Sequence, residues 1–346
     1  MKKILSVLLI AAGMLCMSGC GADTSASAKH RFSATRMDLF DTVVTLTGYA
    51  ESRDEFDAAA QAAFAELEDL YRLYDAYHAY DDITNICAVN AAAGAAAVSV
   101  DGRIIELLSL AREIYDASGG CVDVTAGSVL RLWHDARAAG LEDPDSARLP
   151  DAQSLTNAKA HSGFALLEVD AEANTVRLSD SEALLDVGAV AKGCAVERVR
   201  RMLPEGYLLN AGGNVCATGS KPDGEGWTVG IQDPDGRNTE ALCTLSLTEG
   251  SVVTSGDYQR FYVVDGKRYH HIIDLETLQP AALWHSVTVV CADSGIADGL
   301  STALFVLPRS EGEKLLAAFG AEAVWVDTDG QLQCTEGLRS RLTVLR

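Results

Sequence analysis

The order of helical and strand-like segments limits the fold of this chain more than any other feature. Helical periodicity dominates before residue 165: Ser52-x-x-Glu55 is a capping box that opens a long helix, and further helices are predicted at 101–118 and 151–160. Strand-like patterns dominate afterwards. Because strands and helices do not alternate regularly, the chain is predicted to be an α+β protein with mixed, largely antiparallel sheets and packed helices.

One dipeptide predicts a hairpin in the second half of the chain. Asp265-Gly266 separates two strand-like runs and is a strong signal for a two-residue turn. The resulting register places Tyr262 opposite Tyr269, Phe261 opposite His270, Arg260 opposite His271, and Asp257 opposite Asp274. The other predicted strands are 37–49, 165–170, 174–179, 207–210, 214–219, 227–232 and 242–248, and two more helices are predicted at 189–203 and 294–307.

The N-terminus resembles a bacterial lipoprotein signal. Two lysines precede a short apolar stretch that ends at Cys20, so residues 1–19 are predicted to be the signal peptide and Cys20 the lipidated residue. An ordinary secretory signal is the alternative. Residues 20–31 are predicted to be a tether, and residues 32–346 a single domain. The expected location is the extracytoplasmic face of the bacterial membrane.

Charge limits the possible ligands. The chain has 28 basic and 49 acidic residues and a formal net charge of -21. Nucleic-acid binding depends on clustered Lys and Arg, so this balance argues against a nucleic-acid partner. An anionic ligand would need locally placed positive groups.

Cysteine spacing predicts neither a disulfide framework nor a zinc site. Nine cysteines less Cys16 and Cys20 leave seven, an odd number, and none forms a CxxC pair. Small buried thiols are the simplest interpretation, and we hypothesise that the protein comes from an oxygen-poor habitat.

Three segments have residues suited to catalysis. Asp298 and Thr302 are four residues apart on a predicted helix, where a carboxylate and a hydroxyl could bind Mg²⁺, or could cap the helix and bond to its own carbonyl. Lys192 lies in the first turn of a helix after a buried strand, which suits a phosphate or a plain surface lysine. His271, near Arg260 in the hairpin, is a candidate general base or a structural histidine.

Together these segments resemble the FAD:protein FMN transferase family, the ApbE-like flavin transferases, over about residues 37–308. The matching motifs follow the family's order. They are Phe40-Asp41-Thr42, Tyr80 with Thr84–Asn90, Val122–Thr125 with Leu132-Trp133, Asp186–Gly193, Asn210–Gly213, Trp227–Pro234, Ser255–Arg260, His271–Asp274 and Ala297–Thr302.

The resemblance implies a T-fold-like architecture with a ligand cleft between two subdomains. It implies Mg²⁺-dependent transfer of FMN from FAD to a threonine hydroxyl of a partner protein through a phosphodiester bond, with release of AMP. The metal ligands would be the Ala189 carbonyl, Asp298 and Thr302, and His271 would deprotonate the threonine. The residues expected to contact the dinucleotide are Phe40, Tyr80, Asp123, Val124, Thr125, Asp186, Lys192, Asp257, Arg260 and Ile272.

The resemblance also implies extracytoplasmic acceptors with an Asp-x-x-Ser/Thr-small-Ala-Thr motif. Two other functions stay open: an FAD pyrophosphatase that gives FMN and AMP, and a flavin-binding lipoprotein without catalysis. The sequence departs from the family pattern at Asp41, where glycine is common, at Ser128, where proline is common, and at 274–278, where the usual proline and glycine are absent. A reshaped turn after His271 is therefore expected.

Overall fold

A computed structural model of the chain describes residues 29–234 and 241–345. The helices within these ranges are α1 Arg53–Tyr74, α2 Ile86–Ala91, α3 Gly102–Ala117, α4 Gly127–Glu142, α5 Ala152–Lys159, α6 Ala191–Arg200, α7 Ser294–Val306 and α8 Arg309–Phe319. The strands are β1 His30–Leu39, β2 Thr42–Ala50, β3 Val98–Ser99, β4 Leu167–Asp170, β5 Thr175–Leu178, β6 Tyr207–Ala211, β7 Asn214–Thr218, β8 Trp227–Gln232, β9 Ala241–Leu247, β10 Glu249–Gly256, β11 Phe261–Val264, β12 Lys267–His270, β13 Ile273–Asp274, β14 Gln279–Pro280, β15 Trp284–Cys291, β16 Glu322–Asp327, β17 Leu332–Cys334 and β18 Leu342–Val344.

An eight-stranded sheet forms the centre of the fold. Its order is β1-β2-β6-β7-β10-β15-β16-β17, and each neighbouring pair is antiparallel. Alternate residues of these strands point to opposite faces, so Val253 and Val289 pack towards α7 while Val252 and Val290 pack against β8 and β9. Helices α1, α6 and α7 therefore cover one face, and the three-stranded sheet β18-β9-β8 covers the other.

The predicted α+β class with largely antiparallel sheets is confirmed. The Ser52 side chain accepts a hydrogen bond from the Glu55 backbone N–H at 3.2 Å, as a capping box requires. The predicted α3, α5, α6 and α7 and strands β4 to β9 are present within three residues of the expected bounds. Helices α2, α4 and α8 and strands β10, β15 and β16 were not predicted.

The prediction of one strand over 37–49 is wrong. A tight turn at Phe40 and Asp41 divides this segment between β1 and β2, and both residues have positive φ values, 52° and 54°. Such angles at both central positions are typical of the turns that join twisted antiparallel strands, which usually contain Gly or Asn. The turn was missed because neither residue is present here.

The hairpin prediction is confirmed for two pairs and wrong for a third. Phe261 pairs with His270 and Tyr262 with Tyr269. Asp257 does not face Asp274, because Asp274 pairs with Gln279 in the β13–β14 ladder. The Asp274 carboxylate accepts hydrogen bonds from the Glu276 backbone and the Thr277 hydroxyl, so it orders its own turn rather than His271.

The predicted signal peptide 1–19 and lipidation site Cys20 lie outside the described residues. Strand β1 begins at His30, so the last two residues of the predicted tether belong to the sheet. No helix among residues 29–234 and 241–345 is long and apolar enough to span a bilayer. The seven cysteines of the predicted domain are free thiols.

Candidate active site

A cleft of about 860 Å³ lies between two groups of elements. The first group, called the α6–α7 wall, contributes Lys192 from α6 and Asp298 and Thr302 from α7 to the cleft, and Gly193 and the buried Asn214 of β7 lie behind them. The second group, called the α4–hairpin wall, contributes Arg131, His134 and Arg137 from α4 and Arg260 and His271 from the two ends of the β11–β12 hairpin. A space of this size can hold a large cofactor.

The α6–α7 wall is built around Asp298. The Gly193 backbone N–H donates to Asp298 Oδ2 at 2.7 Å, and Lys192 Nζ lies 3.7 Å from Asp298 Oδ1. A Cβ atom at position 193 would lie 2.3 Å from the Ser294 carbonyl oxygen and 2.5 Å from Asp298 Cβ. Glycine is therefore required at 193 for the two helices to come this close.

Lys192 has both a hydrogen-bond acceptor and a counter-charge within the protein. Its ammonium group donates to Asn214 Oδ1, and Asp298 supplies the counter-charge. Burial lowers the pKa of Lys192 below the ordinary lysine value, and the charge of Asp298 partly opposes that change. Asn214 Nδ2 is buried and has no hydrogen-bond partner among the described residues.

A second bond links α6 and α7 in the reverse direction. The buried Glu197 of α6 accepts a hydrogen bond from the backbone N–H of Ser294, the first residue of α7, at 3.1 Å. Arg200 and Arg201 neutralise the Glu197 carboxylate at 2.7 and 2.9 Å. Each helix thus provides a carboxylate for a backbone N–H of the other, and this pair of bonds fixes the position of Asp298.

The oxygen atoms near Asp298 fit a small hard cation. Asp298 and Thr302 are one turn apart on α7, and both line the cleft together with Ala189. A carboxylate, a hydroxyl and a backbone carbonyl are all oxygen donors, the type that Mg²⁺ prefers. No group of three or more His, Cys, Asp or Glu side chains suited to a metal exists in the described parts of the chain. The donor set therefore suits Mg²⁺ with retained waters better than Zn²⁺.

Helix α4 presents a basic and aromatic face to the cleft. Arg131, His134 and Arg137 are spaced three residues apart and lie on one side of the helix. The His134 ring stacks on Tyr77 with centroids 4.3 Å apart, and the Arg131 guanidinium lies 4.3 Å from the Tyr77 centroid. The Tyr77 hydroxyl donates to Asp186 Oδ2 at 2.8 Å.

The two adjacent histidines have different environments. His270 is buried, its Nδ1 accepts from the Ile272 backbone at 3.2 Å, and its Nε2 lies 2.8 Å from the Ala281 carbonyl oxygen, so both ring nitrogens have backbone partners. His271 faces the cleft and its side chain is accessible there. Although this side chain is exposed towards the cleft, the surrounding walls reduce its hydration, and this desolvation, then the charges of Arg260 and Arg137, lower the pKa of His271 to about 3. Its imidazole is therefore neutral at neutral pH.

Arg260 joins the hairpin to the β1–β2 turn. Its Nη2 donates to the Phe40 carbonyl at 3.2 Å and lies 3.9 Å from Asp41 Oδ2. The Phe40 ring lines the cleft and contacts the Tyr71 ring edge-on at 5.5 Å. The left-handed backbone of the turn thus places an aromatic ring and a carbonyl oxygen at the same edge of the cleft.

Most of the residues predicted for the site lie together. Those that line the cleft are Phe40, Asp123, Val124, Asp186, Ala189, Lys192, Arg260, His271, Ile272, Asp298 and Thr302. Three predicted contacts lie elsewhere. Tyr80 does not line the cleft and donates to Asp75 Oδ2, Thr125 is fully buried and donates to Asp123 Oδ1 at 2.5 Å, and Asp257 lies 2.6 Å from His285 Nδ1.

The cleft also contains residues that the sequence analysis missed. Tyr77 takes the position expected of Tyr80, and α4 supplies Arg131, His134 and Arg137. Helical spacing of the three basic residues was the available signal. It was not used because the segment lacks a capping residue: the N-cap is Ala126, whose side chain makes no capping bond.

Comparison with known proteins identifies the family. The sequence profile of the ApbE family matches residues 40–325. An FAD:protein FMN transferase of Treponema pallidum (strain Nichols) is 34% identical over 277 residues, which cover 75% of this chain and 75% of that protein. A protein of the same name from Klebsiella pneumoniae (strain 342) is 29% identical over 241 residues and 67% of each chain.

Solved structures show the same fold. The crystal structure of the ApbE protein from Thermotoga maritima aligns with a TM-score of 0.78 and 27% identity over 90% of this chain and 99% of that chain. The flavin transferase ApbE from Vibrio cholerae aligns with a TM-score of 0.74 and 23% identity over 89% and 97%. The fold and the cleft define an α+β enzyme of the flavin transferase class. The chain belongs to the ApbE family.

Proposed function

We propose that the protein transfers FMN from FAD to a threonine hydroxyl of a partner protein, with Mg²⁺, and releases AMP. The observation that supports this most directly is the arrangement of the cleft, where the oxygen donors of Asp298 and Thr302 share one space with the imidazole of His271. The curated relatives are named FAD:protein FMN transferases, which supports FAD as the flavin donor.

The proposed reaction is a phosphoryl-type transfer that balances without a redox partner. The threonine oxygen forms a bond to the phosphorus of the FMN moiety, and the bond from that phosphorus to the bridging oxygen of AMP breaks. The hydroxyl proton passes to the free imidazole nitrogen of His271, and AMP leaves with the bridging oxygen. Positioning and charge neutralisation provide most of the rate in reactions of this kind.

Residues of both walls have roles in this scheme. Asp298, Thr302 and the Ala189 carbonyl would hold Mg²⁺, which neutralises charge on diphosphate oxygens when it is bound. Lys192 and Arg260 supply fixed positive charge at the same diphosphate. The stacked Tyr77 and His134 rings provide a flat aromatic surface for the flavin or the adenine.

We also propose that the enzyme works at the outer face of the cell membrane. The two N-terminal lysines, the short apolar stretch and Cys20 support export and lipid attachment. Its acceptors would then be extracytoplasmic proteins with the Asp-x-x-Ser/Thr-small-Ala-Thr motif. Metabolic labelling with a radioactive fatty acid tests this: label on the wild-type chain and none on Cys20→Ala is expected, and equal label on both contradicts it.

One assay separates the proposed function from its alternatives. The domain from residue 29 onwards is incubated with FAD, Mg²⁺ and a peptide that has the acceptor motif. Covalent addition of FMN to the peptide, seen as a mass increase, together with AMP, supports transfer. AMP and FMN without a modified peptide would instead indicate a pyrophosphatase, and FAD binding without AMP would indicate a binding protein.

A further inference from the structure

Three arginines line the cleft, and one of them has no partner. Arg131 donates to the Ala76 carbonyl and Arg260 to the Phe40 carbonyl. Arg137 forms no hydrogen bond or ion pair with any residue in 29–234 or 241–345, although it is half-buried. A guanidinium withdrawn from water normally has a hydrogen-bonding or charged partner, because the loss of hydration is otherwise uncompensated.

The nearby charges do not supply that partner. Arg137 and Arg260 line the same cleft, and burial and then the positive charge of Arg260 lower the pKa of Arg137. The acidic groups whose charges act on Arg137 in the opposite direction are Asp41 and Asp186. Asp186 already accepts from the Tyr77 hydroxyl at 2.8 Å and the Gly188 backbone at 2.9 Å, and the Asp41 side chain is exposed. Neither carboxylate forms an ion pair or a hydrogen bond with Arg137 in residues 29–234 and 241–345, so no partner compensates the burial of this guanidinium.

We propose that Arg137 and Arg260 form a phosphate-binding subsite of the cleft, in which Arg137 binds the diphosphate oxygens of the dinucleotide. The guanidinium group offers paired N–H donors at the spacing of two phosphate oxygens, so a pair of arginines suits a diphosphate in both charge and geometry. The assignment of the diphosphate as the natural ligand rests on the proposed function.

The position of His271 makes the subsite relevant to the reaction. Both arginines are close enough to affect the charge of His271, which lies at the end of the same hairpin as Arg260. A phosphate held by the arginines is then next to the residue that would receive the threonine proton. Arg137 thus acts as a binding residue at the phosphate, and its positive charge also lowers the pKa of His271.

The test uses two variants, a matched control and three ligands. Arg137→Gln removes the charge, Arg137→Lys keeps the charge without the paired donors, and Arg148→Gln removes an exposed arginine that does not line the cleft. Isothermal titration measures the binding of FAD, ADP and riboflavin without any acceptor. Riboflavin has the ring system but no phosphate, and ADP has the diphosphate but no flavin.

We expect Arg137→Gln to weaken FAD and ADP binding by about tenfold or more, which is the typical effect of losing a charge-assisted hydrogen bond. Riboflavin binding should be unchanged, Arg137→Lys should be intermediate, and Arg148→Gln should match the wild type. Thermal unfolding of each variant shows whether it folds, and the Lys variant provides a folded comparison if Gln does not.

Two results would overturn the subsite. One is unchanged ADP and FAD binding in Arg137→Gln, and the other is an equal loss for riboflavin, which would make Arg137 a packing residue. Failure of the proposed function would look different. The wild type would bind ADP, and Arg137→Gln would weaken that binding, but the wild type would not release AMP from FAD. This result would keep the subsite and reject the transferase assignment. A wild type that binds neither ADP nor FAD would remove both.

Discussion

The two walls of the cleft are completed by different means. In the α6–α7 wall, Asp298 has two protein partners before any ligand arrives, the Gly193 N–H and the Lys192 ammonium. In the α4–hairpin wall, Arg137 has none among the described residues, and Arg260 reaches only a carbonyl and a distant carboxylate.

This difference indicates how each wall contributes to binding. Groups already held by the protein lose little conformational freedom when the ligand binds, so the α6–α7 wall is preorganised. Unpaired positive groups gain most of their stabilisation from the ligand itself. We therefore expect substitutions in the first wall to affect the reaction and the stability of the chain, and substitutions in the second to affect mainly affinity and pH dependence.

The largest effect is expected for Asp298→Ala. This change removes the only carboxylate of the proposed Mg²⁺ donor set, and it leaves the Gly193 N–H without its acceptor and Lys192 without its counter-charge. We expect the rate of transfer to fall by about 10³-fold, the upper range for losing one electrostatic contact in an active site. The measurement is AMP release against Mg²⁺ concentration.

Asp293→Ala is the matched control for α7. Asp293 caps the same helix by accepting from the Gly295 and Ile296 backbone N–H groups and does not line the cleft. Its loss should cost about 1 kcal/mol of stability with little change in the Mg²⁺ titration. An unchanged Mg²⁺ titration in Asp298→Ala would remove Asp298 from the metal site.

His271→Ala should lower transfer by about 10²-fold or more while FAD still binds, because a general base typically contributes that much. His161, which is bonded to Asp180 away from the cleft, is the matched control, and His161→Ala should leave the rate unchanged. Equal transfer rates in His271→Ala and wild type would reject His271 as the base.

The lowered pKa of His271 also predicts a pH dependence of stability. The pKa of His271 is about 3 in the folded state against an ordinary value of 6.5. Between these two pH values the unfolded chain binds a proton at His271 and the folded protein largely does not. Its contribution is fully present above pH 6.5 and is lost as the pH falls towards 3. Urea unfolding over this range should show a steeper loss of stability for wild type than for His271→Ala, and identical slopes would contradict it.

Glu197→Ala should lower the free energy of unfolding by about 3 kcal/mol, which is the largest stability change expected among these substitutions. The Ser294 N–H and the Arg200 guanidinium would lose a buried acceptor, which is among the more costly changes known. Glu197→Gln keeps an acceptor oxygen and should lose less. Glu106, an exposed partner of Arg198, is the control, and Glu106→Ala should change stability by less than about 0.5 kcal/mol. Equal losses for Glu197→Ala and Glu106→Ala would show that the bond between α6 and α7 is unimportant.

The smallest effect is expected for Leu278→Gly. Leu278 has a φ of 59° at the position where the family pattern has glycine, and its carbonyl accepts from the Trp133 indole at 3.1 Å. Glycine would relieve roughly 1 kcal/mol of backbone strain but would lose the packing of a half-buried side chain, so a net change below about 1 kcal/mol is expected. Leu275 is packed in the same cluster and has no positive φ, so Leu275→Gly should lower the free energy of unfolding clearly more than Leu278→Gly. The reverse order would show that the backbone at Leu278 is not strained.

The sequence predicts elements that have local signals. Ser52 and Glu55 predict the start of α1, and Asp265-Gly266 predicts the β11–β12 hairpin. Strands β10, β15 and β16 have residues buried on both faces, so they lack the alternation that marks a half-exposed strand. Helix α4 lacks a side-chain cap, and the β1–β2 turn lacks glycine.

The same distinction holds for the cleft. Asp298 and Thr302 are one helical turn apart, so their proximity follows from the sequence alone, whereas the Asp298–Gly193 bond joins residues far apart in the chain. Arg137 could not be predicted, because its role depends on where α4 packs. Tyr80 was predicted from the family resemblance, whereas Tyr77 could not be, because the spacing of the two residues does not show which ring faces the cleft.

The start of β1 at His30 has a consequence for where such an enzyme could work. If Cys20 is lipidated, nine residues lie between it and the first strand, and even a fully extended chain from Cys20 to His30 reaches only about 35 Å. The height of the cleft above the lipid headgroups would then be limited to that distance plus the size of the domain itself. Threonines held higher above the bilayer would be out of its range, so distance from the membrane would select substrates alongside sequence.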